Sequence, residues 1–222
     1  MIVAIHQPMF FPYTGIIEKI KRCDVFVFLD DVQYEDGGFQ NRNRILTKDG
    51  VKWFTVPIKR PRYMRNLQEI MLSNYNDWKG YFLSTLQYTY GKAKYYREVI
   101  DLVNEILNKE YSRLIDLNIE CMMQILKYFG INRETHRSSD FPDKPTDRID
   151  RIIYLVRQLG GDTFLSGDGA KVYMDVERFQ DIKVVFQEYK CKEYPQMWSK
   201  EFVPYMSILD YMMYMGRDVS RL

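Results

Sequence analysis

The sequence predicts an α/β fold: a mostly parallel sheet with flanking helices, of a Rossmann-like or nucleotidylyltransferase-like kind. Two continuous apolar runs, at 2–5 and 25–29, are typical of strands covered on both faces, as in a parallel sheet. Between them, residues 14–22 have the spacing of an amphipathic helix, with Ile16, Ile17 and Ile20 on one side and Lys19 among the polar residues of the other. Strand, helix and strand together form a βαβ unit with a right-handed crossover.

The middle of the chain departs from this alternation. Residues 45–46 and 52–58 flank Lys48-Asp49-Gly50, which predicts an antiparallel hairpin added to the parallel sheet or beside it. A basic loop follows at 60–74, with Arg62 beside Tyr63. The helical pattern at about 77–130, ending at Gly130, predicts a helical insertion or lid. We expect a single α/β domain that spans residues 1–222.

The C-terminal part returns to strands and helices. Strands are predicted at 133–137, 163–165 and 183–186, and helices at 148–159 and 207–215. A further helix is expected to start after the turn at 166–169. These elements complete the predicted sheet.

Charge and composition exclude several classes of function. The net charge of +2, without a run of like charges, argues against nucleic acid as a partner. No apolar stretch is long enough for a membrane span, and the N-terminus lacks the features of a signal peptide. The three cysteines are widely spaced, as in proteins with reduced thiols. We therefore expect a cytoplasmic protein, and the oligomeric state stays open.

Four residues are candidates for catalysis because they fall at the ends of predicted strands. The chain's two histidines, His6 and His136, each end a strand, and Asp30 with Asp31 ends another. Carboxyl ends of parallel strands meet at one edge of the sheet, where ligands bind. A histidine can act as general base near neutral pH, oriented by a carboxylate. The alternative is that each histidine only caps its strand by bonding to the backbone.

Two polar stretches are candidates for binding. The turn Ser166-Gly167-Asp168-Gly169 can form an anion nest or can be a plain turn, and it matches neither phosphate-binding fingerprint. The run Gln40-Asn41-Arg42-Asn43-Arg44 concentrates donors that suit phosphate, carboxylate or hydroxyl groups, unless it is a solvated edge. The sequence has no close spacing of metal ligands, so we predict no metal site.

The motifs of this chain resemble those of the WbqC-like family over nearly its whole length. The N-terminal block is the most specific, with Ile5-His6-Gln7-Pro8, Pro12-Tyr13, Gly15, Lys19 and the stretch from Asp24 to Gln33. The other matching blocks are Phe39 to Ile45, Trp53 to Pro57, Leu165 to Ala170 with Tyr173, Tyr194-Pro195-Gln196, Phe202-Val203-Pro204 and Ser207 to Asp210. The loop Met9-Phe10-Phe11 departs from the family, which more often has Asn-Tyr-Leu there.

The resemblance implies a bacterial protein of O-antigen and other surface polysaccharide synthesis. The activity implied is the transfer of an acyl or aminoacyl group, such as glycine, to an amino sugar carried on a nucleotide. ATP or an already activated acyl donor would supply the energy. The substrate-binding residues then predicted are Gln7, Tyr13, Lys19, Gln40, Asn41, Arg42, Arg44, Ser166, Gly167, Gly169, Tyr173 and Gln196.

Two other functions stay open at this stage. One is a non-catalytic nucleotide-sugar-binding or scaffold protein of the same pathway, which would keep the pocket without turnover. The other is a metal-dependent hydrolase. The start of the chain is also similar to nucleotidylyltransferase-type folds, but their first loop carries two histidines and this one carries only His6.

Overall fold

The computed structural model describes residues 1–60 and 64–222. The described residues form strands β1 (Ile2–His6), β2 (Val25–Phe28), β3 (Arg42–Thr47), β4 (Gly50–Thr55), β5 (Glu134–Arg137), β6 (Thr163–Ser166) and β7 (Lys183–Phe186). The helices are α1 (Thr14–Arg22), α2 (Tyr75–Tyr90), α3 (Tyr96–Leu107), α4 (Leu114–Tyr128), α5 (Arg148–Gln158) and α6 (Ile208–Met215). Arg62 and Tyr63 of the predicted basic loop lie outside the described residues.

The chain divides into two compact units. Unit 1 consists of Met1–Gln7, Gly15–Asp31 and Asn132–Lys190. Unit 2 consists of Pro8–Thr14, Val32–Ile131 and Cys191–Leu222. Each unit is therefore assembled from segments that are distant in sequence.

Unit 1 contains a five-stranded parallel sheet in the order β5-β2-β1-β6-β7. The α/β prediction is confirmed by this sheet and its flanking helices. Apolar residues of the strands, such as Val3 and Val27, pack with Ile152 and Val156 of α5 in the core. The continuous apolar runs of the sequence become the central strands, since β2 is buried along its whole length.

The described part of unit 2 contains the hairpin and four α-helices. The predicted hairpin is confirmed as the antiparallel pair β3–β4, which forms a separate two-stranded sheet. Gly50 ends its turn at a φ of 98°, a conformation that side chains disfavour. The helical pattern at 77–130 corresponds to α2, α3 and α4, and rings of Phe10, Phe54 and Phe82 pack in the interior.

One predicted helix does not form. The segment after Ser166 folds as a short 3-10 turn, Asp168–Val172, and α-helix is absent there among the described residues. The Asp168 carboxylate accepts hydrogen bonds from the backbone amides of Glu188 and Tyr189, each at 2.9 Å. These bonds connect the turn to the segment after β7. The local sequence pattern does not reveal this connection, because the two segments are about 20 residues apart.

Candidate functional site

The strand order of unit 1 creates a topological switch point between β1 and β6. The chain passes from β1 to β2 and β5 on one side of the sheet, and later from β6 to β7 on the other side. In sheets of this kind the crevice outside the carboxyl ends of the two central strands is the usual place for a ligand. His6 is the last residue of β1, and Ser166 is the last residue of β6.

The His6 ring has a defined tautomer. Its Nδ1 lies 2.9 Å from the backbone carbonyl oxygen of Gln7, and because a carbonyl only accepts, Nδ1 must carry the proton. Nε2 of the neutral ring is then the basic nitrogen. Burial, reinforced by the charge of Lys19, lowers the pKa of His6 to about 3. The imidazole is therefore neutral at physiological pH.

Lys19 corrects one expectation from the sequence. The amphipathic pattern of residues 14–22 predicts Lys19 on the polar side of α1, yet the residue is only 2% exposed. The long aliphatic stem lets Nζ reach the Ile5 carbonyl oxygen, at 3.1 Å, beside the end of β1. Among the described residues no carboxylate lies within ion-pair distance of this amine. Burial lowers the pKa of Lys19 to about 8.

The turn after β6 lies beside the same amine. A Cβ atom added to Gly167 would lie 3.9 Å from Lys19 Nζ, and among the described residues beyond its chain neighbours no other atom lies within 4 Å of that position. Ser166 is 2% exposed, and its hydroxyl donates to the Gly167 carbonyl oxygen at 3.4 Å. Gly169 has open space at its Cβ position. Unit 1 thus brings His6, Lys19, Ser166 and Gly167 to the switch point.

Asp30 and Asp31 take part in another cluster. The buried Asp30 carboxylate accepts from the Ser138 hydroxyl at 3.0 Å and from the Ser139 hydroxyl at 2.7 Å. Asp31 contacts the Ser138 hydroxyl as well and forms an ion pair with Lys144 at 3.1 Å. These contacts join the end of β2 to the turn that follows β5.

The other predicted residues of unit 1 lie on its outer parts. His136 is on β5, the edge strand, and its Nε2 lies 2.7 Å from the Glu134 carboxylate. Tyr173 is 43% exposed after the 3-10 turn, with the Arg148 guanidinium 3.7 Å above its ring. The structure therefore does not bring His136 to β1, since β2 lies between the two strands.

The polar run from Gln40 to Arg44 belongs to unit 2. Its amide side chains hold the backbone: Gln40 Oε1 accepts from the Glu35 amide, and Asn41 Nδ2 donates to the Val56 carbonyl. Asn43 Nδ2 donates to the carbonyl of Phe11, which has a strained φ of 41°. The amides thus build the loops of unit 2, a role that composition alone does not distinguish from ligand binding.

The two arginines of this run lie against Trp53. The Arg42 guanidinium is 4.5 Å from the centre of the ring and also donates to the carbonyls of Gly37 and Gly38. The Arg44 guanidinium is 5.5 Å from the same ring and donates to the Tyr205 carbonyl at 3.1 Å. Arg44 also lines a small cleft with three aromatic residues, Tyr13, Phe39 and Tyr205.

Gln196 belongs to a buried network around Asp210. The Asp210 carboxylate accepts from the Tyr90 hydroxyl at 2.6 Å, the Tyr194 hydroxyl at 2.9 Å and Gln196 Nε2 at 2.8 Å. Gln196 Oε1 accepts from the Val203 amide. Burial raises the pKa of Asp210, and the three donors oppose that effect. Both ends of the Gln196 amide are thereby engaged inside unit 2.

Sequence reasoning did not single out Ser138, Ser139 or Tyr205, and it named Phe39 and Asp210 only as parts of blocks that match the family. Ser138 and Ser139 directly follow a predicted strand end, a position that could have signalled them. Among the described residues, no three His, Cys, Asp or Glu side chains are grouped so that they could hold a metal ion. The helices in the described ranges are too short or too polar to cross a membrane.

This sheet order and the residues gathered at its switch point define a class, the doubly wound α/β proteins. A model of the WbqC-like protein family matches residues 7–221, and the chain belongs to that family. The chain is similar to the uncharacterized protein Rv1507c of Mycobacterium tuberculosis, with 30% identity over 221 residues. That match covers 97% of this chain and 94% of the relative. No solved structure matches the chain.

Proposed function

We propose that this WbqC-like protein transfers an acyl or aminoacyl group, such as glycine, to the amine of a nucleotide-linked amino sugar. The reaction would take place in the cytoplasm, in the synthesis of bacterial surface polysaccharide such as O-antigen. The pathway comes from the family resemblance. The observation that carries the choice of substrate is the buried Lys19 amine, which lacks a carboxylate partner among the described residues.

A buried ammonium without a counter-charge is costly, and an anionic ligand removes that cost. One N–H group of the Lys19 ammonium donates to the Ile5 carbonyl, which leaves two N–H groups for a ligand. Gly167 keeps the adjoining space free of a side chain. The phosphates of a nucleotide-sugar suit this position, at the edge of the sheet where ligands of doubly wound folds bind.

In the proposed reaction the sugar amine attacks the carbonyl carbon of an activated acyl donor. The new C–N bond forms, the bond from the acyl carbon to the leaving group breaks, and the leaving group departs with the electron pair. The nitrogen loses a proton, and His6 Nε2 accepts it, because Nδ1 is committed to the Gln7 carbonyl. An acyl phosphate, an acyl adenylate formed from ATP, or a thioester each has the required leaving group.

A second function is favoured by the same histidine. A pKa of about 3 makes His6 a weak base, which suits a neutral hydrogen-bonding group in a non-catalytic nucleotide-sugar-binding or scaffold protein. The two functions differ in turnover and share the ligand. They can therefore be separated by a variant that retains the hydrogen bond of Nδ1 and lacks the basic nitrogen.

The test has two stages. Thermal-shift titration of the whole chain with nucleotide-sugars and with ATP should raise Tm, and Lys19→Met should remove the shift while Lys21→Met, on the same helix, keeps it. Absence of any shift in the wild type contradicts the proposal. His6→Asn is then compared with the wild type, because an asparagine amide can still donate to Gln7. Loss of turnover with binding retained supports the transferase, and binding without turnover in the wild type supports the second function.

A further inference from the structure

A cleft of about 200 Å³ in unit 2 combines aromatic rings with a guanidinium. Its lining residues are Tyr13, Phe39, Arg44 and Tyr205, and it shares none of them with the switch point. The Tyr13 and Tyr205 rings are 5.9 Å apart. Phe39 lies 5.6 Å from Trp53, the ring that both arginines of β3 contact. The cleft is therefore bordered by rings from three separate segments of the unit, Tyr13, Phe39 and Tyr205.

The guanidinium in this cleft is held in place but is not saturated. Arg44 Nη2 donates to the Tyr205 carbonyl, and the central carbon of the guanidinium lies 5.5 Å from the centre of the Trp53 ring. Its Nε is buried and has no hydrogen-bond partner among the described residues. A buried donor without an acceptor costs about 1–3 kcal/mol. That buried atom is out of a ligand's reach, so a carboxylate or phosphate oxygen in the cleft would instead contact the exposed Nη end of the guanidinium.

The rings leave apolar surface open to solvent. Phe39 is 41% exposed and Tyr205 is 45% exposed. Tyr205 also has a φ of 60°, a left-handed conformation that costs of order 1–3 kcal/mol in a residue other than glycine. Strain of this kind concentrates at sites where a ligand is held. Exposed rings suit stacking against the apolar C–H face of a sugar.

We propose that this cleft binds a single sugar ring that carries an anionic group, either a phosphate or a carboxylate. The volume is below the roughly 300–1,000 Å³ of pockets for larger ligands, which favours one ring. The described lining residues include no Asn or Gln side chain of the kind that reads the edge of a nucleobase. Arg44 binds the anion and the rings bind the sugar face. This function of unit 2 does not depend on the reaction proposed for unit 1.

The experiment is ligand-observed saturation-transfer NMR on the whole chain with glucose 1-phosphate, glucuronic acid, glucose, inorganic phosphate and uridine monophosphate. At least one of the two anionic sugars should bind, with saturation transferred from the protein to the protons of its sugar ring. Glucose and inorganic phosphate should each bind roughly tenfold more weakly than that sugar. The stronger of the two anionic sugars identifies the anion. Tighter binding of uridine monophosphate, or no binding of either anionic sugar, overturns the proposal.

Variants distinguish binding in the cleft from a general effect of the protein's charge. Arg44→Met should weaken binding of the anionic sugar by roughly tenfold or more. Lys52→Met removes the same charge from the exposed face of the hairpin, where Lys52 contacts Tyr81, and should leave binding unchanged. Because Arg44 is partly buried, Phe39→Ala provides a second test at an exposed position and should weaken the binding of the sugar ring. Equal binding by all these variants and the wild type contradicts the assignment.

Discussion

The amine of Lys19 on α1 donates to the carbonyl of Ile5 on β1, at 3.1 Å, one residue before His6. This bond places a positive charge beside the end of the central strand. The same charge contributes to the low pKa of His6, after burial itself. The charge of Lys19 thus makes the protonated form of His6 more costly to keep in the folded protein.

The first prediction concerns stability and Lys19. Its pKa falls from 10.5 to about 8 on burial, which corresponds to about 3 kcal/mol. Above pH 10.5 the amine is neutral in both states and this cost is absent; as the pH falls through 8 the full cost is present. The free energy of unfolding of Lys19→Met should therefore exceed that of the wild type more at pH 7 than at pH 9.5. Urea unfolding across this range measures the difference, and Lys21→Met should show no such trend.

The second prediction concerns acid and His6. Its folded-state pKa of about 3 lies below the ordinary 6.5, so the unfolded chain binds more protons between these values. The stability that His6 contributes is complete above pH 6.5 and is lost as the pH falls toward 3, by up to about 5 kcal/mol. His6→Asn should therefore lose less stability than the wild type over that range. Parallel acid-unfolding curves for the two proteins would contradict the prediction that His6 stays neutral in the folded protein.

The third prediction concerns Ser138, whose hydroxyl donates to the Asp30 carboxylate at 3.0 Å and accepts from the Asp30 amide at 3.1 Å. Ser138→Ala leaves both buried groups of Asp30 with one partner fewer, so we expect a loss of about 2 kcal/mol. Ser84→Ala is the control, because Ser84 is exposed and bonds within α2 to Gly80. Denaturant unfolding of both variants gives the comparison, and equal stabilities would mean that the Ser138 contacts are dispensable.

Local pattern predicted much of unit 1. The apolar runs gave β1 and β2, and His6 falls at the end of β1 as expected. The strand order could not be read from these runs, because strands buried on both faces have no periodicity that identifies their neighbours. The switch point between β1 and β6 therefore became visible only in the structure, and so did the position of the Lys19 amine beside the turn at Gly167.

The features that the sequence did not predict depend on contacts between residues that are far apart in the chain. Asp30 and Ser138 are 108 residues apart, and Arg44 and Tyr205 are 161 apart. The sequence marked Asp30 and Arg44 by their chemistry but gave no sign of either partner. Lys19 was misplaced because a periodicity argument treats every lysine as polar, whereas its stem is long enough to carry the amine inward. Residue type marked candidate side chains, and only the fold determines what each of them contacts.

The last prediction concerns the buried carboxylate of Asp210, which accepts from the Tyr90 hydroxyl at 2.6 Å. Tyr90 is fully buried, so Tyr90→Phe removes a charge-assisted hydrogen bond without opening a cavity. We expect unit 2 to lose about 1.5–3 kcal/mol of unfolding free energy, because the carboxylate keeps its charge with one donor fewer. Tyr88→Phe, at a site 66% exposed on the same helix, should change stability by less than about 0.5 kcal/mol. Urea unfolding at pH 7 measures both, and an unchanged midpoint for Tyr90→Phe would show that the remaining donors, Tyr194 and Gln196, satisfy Asp210 alone.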